Sequence, residues 1–482
     1  MGDLWALVLA FAYVGAVVAV GEGAHRLGLS RPVARKVIHV GVGLWIIGTV
    51  LLFESRYLAA VPALVSVAAN YVIHRRRLLG SVAAEAENLG TVWFPVSFAL
   101  LVLFAWDEPA ALVGGVLAMT VGDALASTVG LRWGRRQYAT LGGRTKSLEG
   151  SLAMFGATLL TTLATLWVVA PPLPPAAQAG LAVLAAVAAA CAESVGIKGR
   201  DNLWVPLGTG LLLWAGLRLF PHLLPGLGAG AALSAAIGLL AWWKRSLSPS
   251  GTLGAILTGT PLFGLGGWAG GLALVAFFVS GSALSHLFRD RKAPVEADFA
   301  KTGTRDLGQA LANGGVAAAA AVGYAVSGDP AWMGAVLGGI AAASADTWAT
   351  ELGVLSRTAP RMVTTFREVP PGTSGAVSLT GTLAGLGGAA LVGLVAALAD
   401  PVWWRLMPWV AAAGIAGAFA DSLLGATVQA VYWCPRCGKE TERTLHGCGS
   451  TTRLHRGLPA VSNDLVNLAA TLVGAAAGFL AV

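Results

Sequence analysis

Charge is what this chain has least of. Asp, Glu, Lys and Arg make up 12% of its 482 residues, against 56% hydrophobic residues. That is about half the charge of an ordinary soluble domain, which excludes a solvated globule of this size. Long polar stretches are scarce too. Apolar runs of about 17–22 residues follow one another along most of the chain, the length that crosses a bilayer as a helix. Strand-length segments of alternating polarity are absent, which excludes a membrane β-barrel. Residues 1–20 have no basic leading segment and no small-residue cleavage site, so they read as a first membrane helix and not as a signal peptide. G-x-x-x-x-G-K-[ST] occurs nowhere, which excludes a P-loop, and protein-kinase signatures are missing as well. Cysteine is rare: there are four, three of them in one short segment.

What is present is an all-α polytopic membrane protein with about 16 transmembrane helices. Assigning alternate loops to opposite sides puts all but three of the 32 Lys and Arg residues on one side; Arg56, Arg218 and Arg405 are the exceptions. The positive-inside rule makes the crowded side cytoplasmic and leaves both termini outside. The formal charge of +8 is then an orientation signal, and nucleic acid is not an expected partner. The expected location is the plasma (inner) membrane, with polar sites on its cytoplasmic face.

In the first half, Arg35, Lys36 and His39 lie within about one turn of each other where the second span begins. They are either an interfacial anchor or a cationic cluster for phosphate. Asp123 ends an apolar run among small residues that permit close helix approach. A carboxylate there is costly and marks a candidate site. It is either one partner of an ion pair or a metal-phosphate ligand, since Mg²⁺ sites serving nucleotides use one or two carboxylates plus the phosphates. The following Leu141-Gly-Gly-Arg-Thr-Lys-Ser-Leu-Glu-Gly-Ser151 supplies backbone donors, Arg144, Lys146, Ser147 and Glu149 at a helix start, a setting that favours an anion. Glu193 returns to the same side, and Asp201-Asn202 opens the next span, as an N-cap or as part of the site.

Together these motifs resemble the phytol/dolichol-kinase family over residues 1–222. The residues that carry the resemblance are the R-K-x-x-H of Arg35, Lys36 and His39, the G-D-A-x-A-S-x-V-G from Gly122 to Gly130, the K-S-x-E-G-S from Lys146, and Glu193 followed by Asp201, Asn202 and Pro206. Members of that family are integral membrane enzymes that phosphorylate isoprenoid alcohols, commonly with CTP. The resemblance implies functional roles for Asp123, Lys146, Ser147, Glu149, Glu193, Asp201 and Asn202.

The second half, residues 223–482, reads as a partial repeat. Ala345-Asp346-Thr-Trp-Ala-Thr-Glu351-Leu-Gly353 aligns with Gly122–Gly130, placing Asp346 on Asp123. The loop Pro370-Pro-Gly372-Thr373-Ser374-Gly375 follows, with Ser374 matched to Ser147 and Thr373 where Lys146 would fall. Asp421 then answers to Glu193, and Asn463-Asp464 to Asp201-Asn202. Arg305, Gln309 and Asn313 recur every four residues, forming a polar stripe on one helix face. An insert at 430–460 holds Cys434, Cys437, His446 and Cys448, whose C-x2-C spacing and soft ligands suit a structural Zn²⁺, with His455 as the alternative to His446. This half resembles the membrane family that contains the plant phytyl-phosphate kinase.

The expectation is a bifunctional membrane kinase that converts a phytol-like isoprenoid alcohol to its monophosphate and then to the diphosphate. Its expected donor is a nucleoside triphosphate, CTP by the resemblance, and membrane lipids surround it. Asp123 and Asp346 are the expected Mg²⁺ ligands. Asp123, Lys146, Glu149, Asp346, Glu351 and Asp421 are the expected catalytic set. A lipid transporter or flippase and a CTP-dependent cytidylyltransferase acting on a lipid phosphate are the alternatives.

Overall fold

In lipid a backbone must satisfy its own polar groups, and for a single apolar run the helix is the local solution. The computed structural model describes residues 2–76, 89–140, 145–170, 172–195, 199–218, 221–287 and 304–482. It divides into two compact units, Met1–Gly228 and Ala229–Val482. The first contains α1 (Gly2–Arg26), α2 (Arg31–Leu52), α3 (Arg56–Arg76), α4 (Gly90–Phe104), α5 (Pro109–Leu117), α6 (Ala124–Trp133), α7 (Leu148–Val169), α8 (Pro175–Val195) and α9 (Asp201–Arg218). A π-helical turn, Ala118–Asp123, joins α5 to α6. Helix α10 (Leu224–Trp243) carries the boundary. The second unit continues with α11 (Pro249–Gly264), α12 (Gly267–His286), α13 (Leu307–Ser327), α14 (Pro330–Gly353), α15 (Leu379–Ala399), α16 (Met407–Thr427) and α17 (Asn463–Leu480).

Each unit is built around a helix that other helices enclose. In the second it is α14, where every residue from Met333 to Ala345 is buried. In the first it is α5, buried from Ala110 to Val116. Both are rich in small residues because their neighbours come to backbone contact. A Cβ added at Gly338 would stand 2.3 Å from the Gly474 carbonyl oxygen on α17, and one at Gly115 would stand 2.8 Å from Gly210 Cα on α9. Such contacts pack helices where lipid offers no hydrophobic drive between them.

Among the described residues, 12 helical spans are long and apolar enough to cross a membrane, with α5, the π turn and α6 counted as one. This is fewer than the 16 or so that the apolar runs predict. Helices α4 and α11 are 15 and 16 residues long, α9 opens on Asp201 and ends on Arg218, and α14 carries Asp346 and Glu351 in a run of small residues. The loops also hold short antiparallel sheets that hydropathy does not signal. β1 (Gln137–Ala139) pairs with β2 (Thr145–Ser147), and β3 (Arg361–Met362) with β4 (Ala376–Val377). The insert folds as β5 (Val431–Cys434), β6 (Lys439–Thr441) and β7 (Arg453–Arg456), in the order β6-β5-β7.

Candidate functional site

In the first unit, the polar residues that are scattered along the chain converge. Asp123 closes the π turn, a helix distortion found often at functional sites. The turn is pressed against α2, where a Cβ at Gly43 would collide with Thr120 Oγ1 at 2.0 Å. His39 Nε2 lies 3.4 Å from the Met119 carbonyl oxygen of the turn, and its ring stands 4.6 Å from that of Phe94. His39, Asp201, Lys146 and Lys36 are the charged groups that act on Asp123. Lys146, at the centre of β2, donates from Nζ to Glu193 Oε1 at 2.5 Å and to the Glu193 carbonyl, and lies 3.8 Å from Asp201 Oδ2. Ser151 Oγ donates to Glu193 Oε2 at 3.4 Å and lies 2.6 Å from the Tyr138 hydroxyl, which burial pushes up to about 12. Asn202 donates its backbone N–H to Asp201 Oδ1 at 3.1 Å. Five elements (α2, the π turn, β2, α8 and α9) thus deliver three carboxylates and three basic side chains to one place.

Other expected site residues stand off this cluster. Ser147 caps α7, its hydroxyl accepting from Gly150 N at 3.2 Å. Glu149 accepts the Arg136 backbone N–H at 3.3 Å on each carboxylate oxygen, which ties the hairpin and leaves it outside the cluster. Arg35 is exposed and is not among the charges acting on Asp123, whereas Lys36 donates to Thr128 Oγ1 at 3.1 Å. Arg144 lies outside the described residues.

The second unit assembles a different site. Asp346 on α14 and Asp421 on α16 act on each other, and both feel Glu442. Asp421 Oδ2 is buried and has no hydrogen-bond partner among the described residues. A buried unpaired oxygen of this kind costs about 1–3 kcal/mol, more when charged, and a cation relieves it. Glu442 comes from the insert, just past β6, and accepts from Gln429 Nε2 at 2.8 Å. Gln429 Nε2 is also 3.5 Å from Asn463 Oδ1, and Gln429 Oε1 accepts from Ser374 Oγ at 2.9 Å. Arg456 of β7 donates to the Ser374 and Gly425 carbonyls at 2.8 and 2.7 Å. The Gly372–Gly375 loop reaches this network because Gly372 and Gly375 take left-handed φ of 85° and 83°, and because Gly375 abuts the Ala426 backbone, where a Cβ would lie 2.4 Å from Ala426 N. Thr373 Oγ1 turns back to the Pro370 carbonyl, and Asp464 lies in the first turn of α17. Glu351 acts instead on Arg305, and Asn313 lines a cavity with Arg305.

Local packing corrects the alignment of the two halves. In the first, the Ser147 cap, Gly150 and Gly130 pack together: a Cβ at Gly150 would stand 2.9 Å from the Ala126 carbonyl and 3.4 Å from Gly130 Cα. In the second the same contacts join Ser378, Gly381, Ala349 and Gly353, with 3.2 Å to the Ala349 carbonyl and 3.5 Å to Gly353 Cα, and Ser378 accepts from Gly381 N at 3.1 Å. The counterpart of Ser147 is therefore Ser378, not Ser374. Lys146 pairs with Tyr138 across β1–β2, and the residue before Ser378 is Val377, paired with Arg361. The lysine position is filled by Val377, not Thr373. The longer loop between β3 and β4 misled an alignment by spacing.

Gln429, Glu442 and Arg456 carry much of the second site's contact chemistry, and all three escape a reading of the sequence. Gln429 alone had a signal, since Asp421, Gly425 and Gln429 follow the helical four-residue step.

In the insert, Cys434, Cys437, His446 and Cys448 bring their four ligand atoms within 4.8 Å of one another. Cys434 and Cys448 Sγ are 3.6 Å apart, close to the roughly 3.8 Å that tetrahedral 2.3 Å Zn–S bonds require. His446 Nδ1 lies 3.2 Å from Cys448 Sγ and its hydrogen bond pulls that thiol down to about 6, while the hydrogen bond with Cys448 pushes Cys437 up to about 11. The donor set fits a zinc ion. His455 pairs with Glu440 at 3.4 Å instead.

Residues 232–475 match the family model described as integral membrane protein DUF92. A protein named phytol kinase from Synechocystis sp. is 36% identical over 222 residues, 45% of this chain and 94% of that one. Protein PGR of Arabidopsis thaliana is 32% identical over 266 residues, 50% of this chain and 91% of its own. Protein VTE6, chloroplastic, also of Arabidopsis thaliana, is 35% identical over 146 residues, 29% of this chain and 44% of its own. No solved structure gives a significant match.

Proposed function

The chain belongs to the DUF92 integral membrane protein family, over residues 232–475, and to the phytol kinase family, and from that premise we propose that it is a membrane kinase that adds two phosphoryl groups in succession to an isoprenoid alcohol. The first unit makes the monophosphate of a phytol-like alcohol and the second makes the diphosphate. The observation that carries this reading is the pairing of an aspartate at the enclosed helix with a second acidic residue two helices on, Asp123 with Glu193 and Asp346 with Asp421, beside the same capped helix start in both units.

In each transfer the acceptor oxygen attacks the terminal phosphorus of a nucleoside triphosphate, for which we take CTP, and the bond to the nucleoside diphosphate breaks. The acceptor's hydroxyl proton, in the first step, passes to a neighbouring carboxylate. Bound Mg²⁺ would neutralise the triphosphate. Asp123 in the first unit, and Asp346 with Asp421 in the second, are the residues that would hold it; the unpartnered Asp421 Oδ2 fits that task. Most of the catalysis is then positioning and charge neutralisation. Lys146 has its three donors on two Glu193 oxygens and, loosely at 3.8 Å, Asp201. A phosphate displaces Asp201, the weakest of the three, and keeps Lys146 anchored on Glu193. The sites face the cytoplasm in this reading, and the zinc-fitted insert holds Glu442 against Asp346 and Asp421.

The test is to incubate the purified chain in lipid with Mg²⁺, labelled CTP or ATP, and phytol, geranylgeraniol or farnesol, and to resolve the lipid products. Mono- and then diphosphate are expected. Nucleotide joined to lipid would make the protein a cytidylyltransferase, and unaltered lipid would sink the kinase reading in favour of transport.

A further inference from the structure

The Arg305 side chain is unusual for a membrane helix start. Its guanidinium lies 5.1 and 5.0 Å from the ring centres of Phe277 and Phe278, and Nη1 is buried with no hydrogen-bond partner among the described residues. The backbone that carries it is locked. Arg305 N donates to the Ser246 carbonyl at 3.2 Å, its carbonyl accepts from Ser248 N at 3.0 Å, and a Cβ at Gly251 would meet that carbonyl oxygen at 2.0 Å. Asp306 and Gln309 then form a full capping box on α13. Gly281 makes room for the guanidinium: a Cβ there would lie 2.5 Å from Arg305 Nη2 and 3.1 Å from Thr347 Cγ2. Thr347 follows Asp346, so the cation is held next to the segment that bears the proposed catalytic carboxylate.

Arg305 opens on a cavity of about 70 Å³. At roughly 10–15 Å³ for each water-sized group, it has room for a phosphate. Gln309 and Asn313 continue the polar stripe along one side, and the walls are apolar, with Ile237, Leu274, Phe277 and Phe278 among them. A rigid guanidinium with a free donor, amide side chains in line and an apolar surround is a receptor for a phosphate on a hydrocarbon chain.

We propose that this cavity binds the phosphate of a long-chain isoprenoid monophosphate, the acceptor of the second transfer, with Arg305, Gln309 and Asn313 on the phosphate and the phenylalanine walls on the first carbons of the chain. This rests on the two-step reading above. It makes Arg305 a substrate-binding residue and gives Glu351 the task of balancing its charge.

The experiment measures binding of labelled geranylgeranyl monophosphate to the full chain in lipid nanodiscs. Geranylgeraniol, inorganic phosphate and phosphatidic acid are run in parallel. Arg305→Gln is expected to weaken monophosphate binding about tenfold or more, the scale of a lost charged hydrogen bond, with part of it restored by Arg305→Lys. Asn313→Leu, which keeps side-chain size, is expected to weaken it about threefold. Geranylgeraniol and inorganic phosphate should bind weakly throughout. Unchanged monophosphate binding in both Arg305→Gln and Asn313→Leu overturns the proposal. So does phosphatidic acid bound as tightly and lost in the same way, which marks a general lipid-phosphate site. Turnover separates this from the reading it rests on. If the chain never converts the monophosphate but Arg305→Gln still abolishes its binding, the pocket stands and the two-step kinase falls. If conversion proceeds with an unchanged KM in Arg305→Gln, the pocket falls and the kinase stands. Phosphorylation of the free alcohol should be unaffected in every variant.

Discussion

The two units share a scaffold and differ in charge. In the first, Lys146 stands between Glu193 and Asp201, and Lys36 and His39 act on Asp123, so acids and bases interleave. In the second, Val377 takes the lysine position, and Asp346 and Asp421 have only acidic groups, each other and Glu442, among the charges that act on them in the described residues. A buried carboxyl is costly unless a cation balances it or it takes up a proton. The first unit sets a lysine beside its carboxylates, and in the proposed reading the second relies more heavily on bound Mg²⁺. Under the proposed two-step reading, acceptor chemistry differs in the same direction: a neutral alcohol for the first unit and an anionic monophosphate for the second, with Arg305 proposed to receive it.

Breaking this comparison begins with the aspartates. Asp123→Asn is expected to lower alcohol phosphorylation by about 10²–10³-fold, the scale of losing a preorganised charged group, and to leave monophosphate phosphorylation intact. Asp346→Asn should do the reverse. Product analysis with each acceptor supplied separately reads the difference, and a variant that loses both activities while folded would refute separate sites. Next in size is Lys146→Met. It strands Glu193 and Asp201 without their cation, which in buried pairs costs about 3–5 kcal/mol; the contact is partly exposed, so the loss should fall below that range. Thermal unfolding should show a destabilised protein, and alcohol phosphorylation should be lost first.

Removing metal from the insert sharpens the contrast. A zinc chelator, or Cys434→Ser, is expected to reduce monophosphate phosphorylation by about 10–100-fold, the usual effect of disturbing groups that support a site, because Glu442 and Arg456 are carried by this fold. Alcohol phosphorylation should persist. Equal loss of both activities would show that the insert serves the whole chain. The smallest effect is expected at the caps. Ser147→Ala and Ser378→Ala should each cost about 1 kcal/mol of stability, and each should weaken the unit that contains it. If Ser374→Ala behaves like Ser147→Ala and Ser378→Ala does nothing, the corrected correspondence is wrong.

Much of this was legible along the chain. The scarcity of charge and the length of the apolar runs predict membrane helices, and the small residues around Asp123 and Asp346 predict tight packing at those positions. The cysteine spacing singled out four residues that meet in space. Reuse of one pattern across the chain was also visible at Asp123 and Asp346. Where a loop changed length, however, counting residues placed Ser374 on Ser147, and only the shared contact of capped serine with paired glycines identifies Ser378. The π turn had no signal either, since Ala118–Asp123 reads as ordinary apolar helix.

Composition and periodicity by themselves determined the helical membrane class, the candidate acidic residues and the metal-fitting insert, because those depend on residue type and local spacing. Tertiary structure alone decided that Lys146 meets Glu193 and Asp201, that Glu442 crosses from the insert to Asp346 and Asp421, and that Arg305 meets Phe277, Phe278 and Glu351 beside an apolar cavity. Each of these joins segments distant in sequence, and which charges end up neighbours depends on how the helices pack.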